Sequence, residues 1–283
     1  MGRTVYVDGA YVDEAEAKVS IFDRGYLFAD GVYEVTSVLG GKLIDAEPHF
    51  QRLDRSLREL EIAWPCTMDE LIGIHHELIR RNDIDQGGVY MQITRGVADR
   101  DFTYPGDVPS VLTAFTQTRN LIDHPKAATG VKVVSMPDIR WRRRDIKSIA
   151  LLAQAMCKQA AAEQGAYEGW MIEDGHVTEG TSSTSYIVKD DTVITRPISN
   201  SILAGVTRRT VLRLMAERAI GLDERAFSIE EAYDADEAFM TSASSFVLPI
   251  VEIDGRQIGG GQPGPVARRL REIYIEEAQK TAI

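Results

Sequence analysis

The stretch DIRWRRRDIKSIALLAQ, residues 138–154, joins a predicted strand, VKVVSM (131–136), to an alanine-rich segment with helical character over 148–165. It contains a single lysine, Lys147, among arginines and aspartates. An exposed lysine at the start of a helix is slightly unfavourable against the helix dipole, but it needs no partner. A lysine that points into a closed site needs a function, because burial disfavours its charge. The rest of the chain has to decide between these two interpretations.

The first 118 residues predict a small α+β domain. Asp-Gly and Gly-Gly turns separate short alternating runs in TVYVDGAYVD (4–13) and VYEVTSVLGGKLID (32–45), which indicates two hairpins. Apolar residues at helical spacing predict amphipathic helices over 47–60 and 68–82. Strand-like segments follow, so residues 1–118 read as strands with two helices.

A polar segment with proline and glycine, 119–130, is predicted to be the linker to a second, larger domain over 131–283. This domain would carry Lys147 and a mixed sheet or barrel. It is predicted to contain a helix over 206–221, with Thr207 as N-cap and Gly221 past its end. Strands and helices do not alternate as βαβ units throughout, and no GxGxxG occurs. The order therefore favours a mixed α/β or α+β fold over a plain dinucleotide-binding domain.

Composition excludes several classes of protein. The formal net charge of −11 over 283 residues argues against a general nucleic-acid binder. No apolar run approaches the ~20 residues of a membrane span, and we expect no signal peptide. Cys66 and Cys157 are too few for a disulfide framework, and the histidines form no ligand set, so we expect no metal. A reducing cytoplasm is the simplest compartment.

Three polar turns carry residues suited to an anion or a charged ring. In HVTEGTSSTSYIV (176–188), Glu179 precedes a run of hydroxyl residues, which is either an ordinary hairpin turn or a carboxylate beside an anion-binding nest. In LAGVTRRT (203–210), Gly205 allows close backbone approach, and the helix start at Val206 and Thr207 offers N–H groups to a phosphate. MTSASS (240–245) is a second hydroxyl-rich turn. A lysine, a carboxylate and two anion-binding turns together fit pyridoxal phosphate.

Several motifs then resemble a known family in order and spacing. They are DRGYLFADGVYEV (23–35), HFQRL (49–53), YMQITRG (90–96), DIRWRRRDIKS (138–148), VTEGTSS (177–183) and GVTR (205–208). Across essentially its whole length the chain resembles the fold-type IV pyridoxal-phosphate transaminases, and within them the D-amino acid transaminases. The resemblance implies a two-domain subunit in a homodimer, with active sites near the interface.

The resemblance also implies roles for individual residues. Lys147 would bind the cofactor covalently, Glu179 would face its pyridine nitrogen, Arg52 would bind its phosphate, and Tyr33 would lie near the reacting end. Tyr33 alone would be read as a core residue, and Arg52 alone as a surface arginine of a helix. The implied cofactor-binding residues are Lys147, Glu179, Arg52, Ser182, Ser183, Leu203, Gly205, Val206, Thr207, Ser242 and Ala243. The implied substrate-binding residues are Tyr33, Val35, Arg100, Phe102, Ser182, Ala243 and Ser244.

The chain departs from the family pattern at three positions. Ala243 stands where the phosphate turn has threonine, so Ser242, Ser244 or backbone N–H groups would have to replace that donor. Thr184 stands where asparagine is common. Arg100 matches the arginine that binds the substrate carboxylate, but Phe102 replaces its histidine partner. Arg100 is thus either a carboxylate-binding residue or an exposed loop charge.

These observations predict a transaminase that moves the amino group of a D-alanine-like donor to a 2-oxo acid such as 2-oxoglutarate. An (R)-selective amine transaminase, a branched-chain L-amino acid transaminase and an aminodeoxychorismate lyase are alternatives on the same fold. QITRG (92–96) and Arg100 favour D-amino acids over branched-chain substrates, whereas Phe102 leaves the amine alternative open. A non-enzymatic cofactor-binding protein is a further alternative, which the joint presence of Lys147, Glu179, Tyr33 and Arg52 disfavours.

Overall fold

The computed structural model describes residues 2–283, which group into two compact units. Unit 1 comprises the chain up to Arg119 together with Ile146–Ala150 and Thr281–Ile283. Unit 2 comprises Asn120–Asp145 and Leu151–Lys280. The predicted boundaries placed residues 146–150 in the second domain, whereas here they belong with unit 1.

Unit 1 is an antiparallel sheet with helices packed on one face. Its strands are β1 (Thr4–Val7), β2 (Ala10–Asp13), β3 (Gly31–Leu39), β4 (Lys42–Leu43), β5 (Gln86–Thr94) and β6 (Val111–Thr118). Their order across the sheet is β2-β1-β6-β5-β3-β4. The helices are α1 (Arg24–Phe28), α2 (Ala46–Glu59) and α3 (Met68–Arg81).

The core of unit 1 follows from the apolar faces of α2 and α3. Phe50, Leu53 and Leu57 of α2 are buried in one cluster with Leu71 of α3 and Met91 of β5. Since α2 and α3 correspond within about a residue to the predicted helices 47–60 and 68–82, helical spacing of apolar residues located both.

The opposite face of this sheet carries a row of stacked aromatic rings. The ring centroids of Tyr33 and Tyr90 lie 5.6 Å apart, and those of Tyr90 and Phe115 lie 4.7 Å apart. Val35 is half-buried on the same face as Tyr33, because residues two apart on a strand point the same way. Tyr33 is the last ring of this row and lies near the first residues of β3, where Lys147 also lies.

Residues 146–150 are extended and pair with the start of β3. The backbone N–H of Tyr33 donates to the carbonyl of Lys147 (3.0 Å), and that of Ile149 donates to Gly31 (3.1 Å). Ser148 forms an antiparallel bridge with Val32. The helix expected from Ser148 therefore begins only at Leu152, because the preceding backbone is already hydrogen-bonded to β3. Lys147 is not a helix-start residue, and the dipole argument does not apply to it.

Unit 2 is built on a mixed sheet. Its strands are β7 (Val131–Pro137), β8 (Glu168–Glu173), β9 (His176–Gly180), β10 (Thr184–Lys189), β11 (Thr192–Thr195), β12 (Gly221–Glu224), β13 (Glu237–Ser242), β14 (Phe246–Ile253) and β15 (Arg256–Gln257). The order is β12-β11-β10-β13-β14-β7-β8-β9, and β15 pairs with β14. The β11–β12, β14–β7 and β7–β8 pairs are parallel, and the others are antiparallel.

Four helices complete unit 2: α4 (Leu152–Glu163), α5 (Val206–Glu217), α6 (Ile229–Tyr233) and α7 (Pro265–Thr281). Trp170, Phe227 and Leu248 are among the buried residues of its core. The N-cap of α5 is Gly205, so Thr207 lies inside the first turn rather than capping it as predicted. No helix within residues 2–283 is both long enough and apolar enough to cross a membrane.

Candidate active site

Lys147 of unit 1 lies against an aromatic ring rather than a carboxylate. Its side chain is half-buried, and its Nζ is 4.1 Å from the centroid of the Tyr33 ring. Its backbone N–H donates to the Ser56 hydroxyl at 3.3 Å, which ties the lysine backbone to α2. Within residues 2–283 no ion pair occupies the Lys147 amine. The amine is therefore available to react with an aldehyde.

Arg52 is held by a buried carboxylate. Its Nε and one terminal nitrogen each donate to Glu34 at 2.8 Å, in a bidentate pair. Glu34 is fully buried and lies 2.7 Å from the Nδ1 of His49, which is on the same helix as Arg52. Burial raises the pKa of a carboxyl, but here Arg52 and His49 outweigh it and hold the pKa of Glu34 well below its ordinary value. Arg52 is thus held in one orientation and is largely buried, with 10% of its side chain exposed, rather than lying on the surface of the helix.

Arg100 and Phe102 lie on an exposed loop after β5. The Phe102 side chain is 78% exposed, and the Arg100 guanidinium carbon is 5.3 Å from its ring centroid. The same guanidinium lies 5.3 Å from the ring of Phe28, the last residue of α1. Exposure is compatible with both interpretations of Arg100, a loop charge or a ligand-binding group.

In unit 2, Glu179 is a buried carboxylate at the end of β9. Arg140 forms an ion pair with it, and the backbone N–H of Leu203 donates to both of its oxygens at 3.2 Å. Burial raises the pKa of Glu179, against the opposing effects of Arg140 and the Leu203 N–H. Asp138 binds the other edge of Arg140 at 2.7 Å. Glu179 is therefore fixed in orientation by its surroundings. Leu203, expected to touch the cofactor, contacts Glu179 through its backbone.

The hydroxyls after Glu179 surround a second buried carboxylate, Glu168 of β8. Thr181 donates to it, and the hydroxyls of Ser182 and Ser183 each lie 3.3 Å from its Oε2. Ser182 and Ser183 were expected to bind the cofactor. In this structure their side chains order the turn around Glu168.

The two predicted phosphate turns lie at the start of α5 and between β13 and β14. Gly205 makes no side-chain cap, so the first N–H groups of α5, including those of Val206 and Thr207, are not covered by a capping side chain. A Cβ added at Gly205 would meet the Thr184 hydroxyl at 2.8 Å, so a larger residue there would require the Thr184 side chain to move. In the second turn, the Ser242 hydroxyl contacts those of Ser244 (3.2 Å) and Ser245 (2.8 Å), beside half-buried Ala243.

Taken one by one, these residues have the chemistry that the parts of pyridoxal phosphate require. A lysine without a carboxylate partner suits the cofactor aldehyde, and an oriented buried carboxylate suits a pyridine nitrogen. An uncapped helix start behind a glycine suits a phosphate.

Sequence reasoning missed the residues that hold these groups. Glu34 had a detectable signal, because Val32, Glu34 and Thr36 alternate on the buried face of β3 and a charge there requires a partner. Glu168 gave no such signal, since its hydroxyl partners lie 13–15 residues away in sequence. Asp138 lies only two residues before its partner Arg140, but that spacing alone does not indicate burial. Phe28 lies within the motif DRGYLFADGVYEV, but nothing in the sequence indicates its contact with Arg100.

Comparison with known proteins identifies the family of the chain. Residues 31–253 match the model of the family described as amino-transferase class IV. The chain is 40% identical over 278 residues to D-alanine aminotransferase of Staphylococcus haemolyticus. The aligned residues cover 96% of this chain and 98% of that relative. D-alanine aminotransferase of Bacillus licheniformis is 39% identical over 283 residues, or 98% of this chain and 99% of that one.

The fold is similar to that of the branched-chain aminotransferase from the thermophilic archaeon Thermoproteus uzoniensis, crystallised with norvaline. The TM-score is 0.88 at 26% identity, over 99% of this chain and 96% of that structure. The predicted fold class and family are thereby confirmed. With a family model that spans most of its length and relatives near 40% identity, the chain belongs to the class IV aminotransferases.

Proposed function

We propose that this chain is a pyridoxal-phosphate-dependent D-amino acid transaminase that moves the amino group of a D-alanine-like donor to a 2-oxo acid such as 2-oxoglutarate. The observation that carries the proposal is Lys147, half-buried over the Tyr33 ring with an amine that no carboxylate of residues 2–283 occupies. Similarity to two D-alanine aminotransferases over nearly the whole chain supports the choice of donor.

Bound pyridoxal phosphate would supply the electron sink that makes the Cα proton of an amino acid removable. In this proposal Lys147 would bind the cofactor, and its Nζ, once freed, would move the proton between the substrate Cα and the cofactor carbon. The Tyr33 ring keeps the lysine side chain in a defined direction. The backbone pairing of residues 147–149 with β3 fixes the origin of that side chain.

Glu179 would hold a proton on the pyridine nitrogen. Arg140 and the Leu203 N–H fix one orientation of its carboxylate, so little reorganisation is needed when charge develops. Arg52, held by Glu34, would bind the phosphate with Val206 and Thr207. Because Glu34 takes the Nε edge of Arg52, the carboxylate sets the direction of the guanidinium.

Arg100 would bind the α-carboxylate of the substrate. A charge-assisted pair with a carboxylate contributes about 1.5–3 kcal/mol. Phe102 supplies no hydrogen bond, and it makes the surroundings of Arg100 more apolar than the family pattern. This favours an (R)-selective amine transaminase as the second candidate function, since an amine without a carboxylate would not need Arg100.

We also propose a homodimer that acts in the cytoplasm. Support for the dimer is an apolar surface of unit 1 formed by Val19, Ile21, Phe22, Tyr26 and Val97, all 44–72% exposed. The segments that contain Phe22 and Val97 are adjacent. The N–H of Ala98 donates to the carbonyl of Phe22, and Asp23 forms an isolated antiparallel β-bridge with Val97. Such patches commonly mark protein interfaces. Both cysteines are free thiols, which suits a reducing compartment.

The experiment is a donor panel of D-alanine, L-leucine and (R)-1-phenylethylamine with 2-oxoglutarate, on wild type and Arg100→Ala. We expect D-alanine to give the highest kcat/KM in wild type, and to lose roughly 10- to 150-fold in the variant. The amine should be unaffected or improved. A wild-type preference for L-leucine would contradict the proposal, and a D-alanine-to-amine ratio unchanged by Arg100→Ala would contradict the role of Arg100.

A further inference from the structure

The guanidinium of Arg100 rests against two phenyl rings. Its carbon lies 5.3 Å from the ring centroids of both Phe28 and Phe102. The two rings are tilted against one another by 56°, with centroids 5.5 Å apart. The three groups therefore form a compact triangle, although Arg100 and Phe102 are both exposed.

The backbone beneath this triangle is anchored by Arg24, which is 3% exposed. One terminal nitrogen of Arg24 donates to the carbonyls of Asp101 (2.7 Å) and Thr103 (3.4 Å), which flank Phe102 on both sides. The Arg24 guanidinium also lies 4.6 Å from the Phe28 ring. Phe28 thus contacts two arginines, one buried and structural, the other exposed.

A second anchor holds the far end of the loop. Asp30 pairs with Arg24 and with Arg95, each at 2.8 Å, and the Arg95 guanidinium carbon is 3.5 Å from the centroid of Tyr104. The loop backbone is therefore fixed without any contribution from Arg100. The two phenyl rings determine where the Arg100 side chain points.

Contact with aromatic rings leaves the hydrogen-bonding capacity of a guanidinium intact. Cation–π contact uses the faces of the rings, whereas the N–H groups of arginine lie in its own plane and remain free to bind a carboxylate in a bidentate manner. No ion pair within residues 2–283 occupies Arg100. A carboxylate that pairs with Arg100 would therefore come from outside these residues.

We propose that Phe28 and Phe102 are positioning residues that hold the Arg100 guanidinium ready for the substrate carboxylate, in place of a hydrogen-bonding partner. The inference rests on the proposed function, which makes Arg100 the carboxylate-binding residue. It assigns to Phe102 a positive role in carboxylate recognition, and it adds Phe28, from a different element, to the determinants of specificity.

The test measures the dissociation constant of propionate, which is D-alanine without its amine, from the absorbance change of the holoenzyme. Arg100→Ala should weaken propionate binding roughly 10- to 150-fold. Phe28→Leu and Phe102→Leu should each weaken it about two- to five-fold, and Phe28→Tyr and Phe102→Tyr, which keep the ring, should restore it. In turnover with D-alanine, the leucine variants should raise KM with little change in kcat, because a carboxylate contact is made equally in ground and transition states.

Two controls separate positioning from general loop order. Phe28→Leu should have no further effect in an Arg100→Ala background, since its effect passes through Arg100. Tyr104→Leu removes an arginine–ring contact from the same loop without touching Arg100, and it should leave propionate binding within about two-fold of wild type.

The outcomes distinguish the inference from the function beneath it. If Arg100→Ala leaves propionate binding unchanged, the carboxylate role of Arg100 fails, and the positioning inference fails with it. If Arg100→Ala weakens binding but the leucine variants do not, only the positioning inference is overturned. It is also overturned if Phe28→Leu still weakens binding without Arg100, or if Tyr104→Leu has the same effect as Phe28→Leu.

Discussion

Replacing Glu34 by alanine should destabilise the apoprotein strongly, because it removes the buried carboxylate to which the largely buried Arg52 guanidinium donates two hydrogen bonds. Glu34 is fully buried and accepts two hydrogen bonds of 2.8 Å from Arg52, whose side chain is only 10% exposed. Removing one member of a buried ion pair typically costs about 3–5 kcal/mol. At about 2 °C per kcal/mol for a chain of this size, Tm should fall by roughly 6–10 °C.

The effect has a defined pH dependence. Arg52 and His49, acting against burial, hold the pKa of Glu34 well below its ordinary value of 4.5. A carboxyl with a lowered pKa in the folded state stabilises the protein fully above its unfolded pKa, and this contribution is lost as pH falls towards the folded pKa. The Tm difference between wild type and Glu34→Ala should therefore be constant above about pH 4.5 and shrink below it.

The assay is thermal and urea unfolding of the apoprotein, with Glu77→Ala as the matched control. Glu77 also pairs with two arginines, Arg80 and Arg81, but this cluster lies on the surface of α3 and is screened by water. Glu34→Leu combined with Arg52→Leu should recover much of the lost stability, since no unpaired charge remains buried. If Glu34→Ala lost no more stability than Glu77→Ala, the argument from the buried pair would be refuted.

Two further predictions concern buried titratable groups. Glu179→Gln should keep the cofactor bound but slow Cα deprotonation, because a neutral amide stabilises the protonated pyridine nitrogen less well than a carboxylate does. Single-turnover rates equal to wild type would contradict this assignment. Burial lowers the pKa of His75 from 6.5 to about 4. As pH falls from 6.5 towards 4, the unfolded chain binds a proton that the folded protein does not, so the free energy of unfolding falls by about 3 kcal/mol. Above pH 6.5 this loss is absent. His75→Leu should remove that part of the pH dependence in urea unfolding, and an unchanged slope between pH 6.5 and 4 would show that His75 does not titrate as its burial requires.

Local patterns predicted the regular elements well. The helices α2 and α3 follow from apolar residues at helical spacing, and the β1–β2 turn follows from Asp8 and Gly9, both at positive φ. The mixed strand order of unit 2 agrees with the absence of βαβ alternation in the sequence.

What sequence patterns could not predict is pairing at long range. Residues 146–150 contain Ile146 and Ile149 and lead into an alanine-rich run, so they resemble a helix start. Their hydrogen bonds to Gly31 and Tyr33 override that local preference. For the same reason, the predicted domain boundary at residue 131 assigned the segment with Lys147 to the second domain, whereas its contacts place it in unit 1. The division of the chain into a small domain, a linker and a large domain stays a prediction.

The candidate site likewise has residues that the sequence predicts and residues that only the fold identifies. The motif around Lys147, Glu179 and Gly205 is visible as residue types in order along the chain. The carboxylates that hold these groups or their neighbours, Glu34 and Glu168, are identified only once the fold brings their partners together. Their roles depend on burial, which the pattern of a single strand indicates only weakly.

Every proposed step depends on Lys147 binding the cofactor. Borohydride reduction of the holoprotein followed by peptide mass analysis tests it directly, with Lys158→Ala as the matched control. Lys158 also lies over a tyrosine ring, 4.5 Å from the centroid of Tyr167, but its amine pairs with Glu168 at 3.5 Å. We expect cofactor attached to the Lys147 peptide in wild type and in Lys158→Ala, and no attachment and almost no turnover in Lys147→Ala. Attachment at any other lysine in wild type, or trapped cofactor in Lys147→Ala, would contradict it.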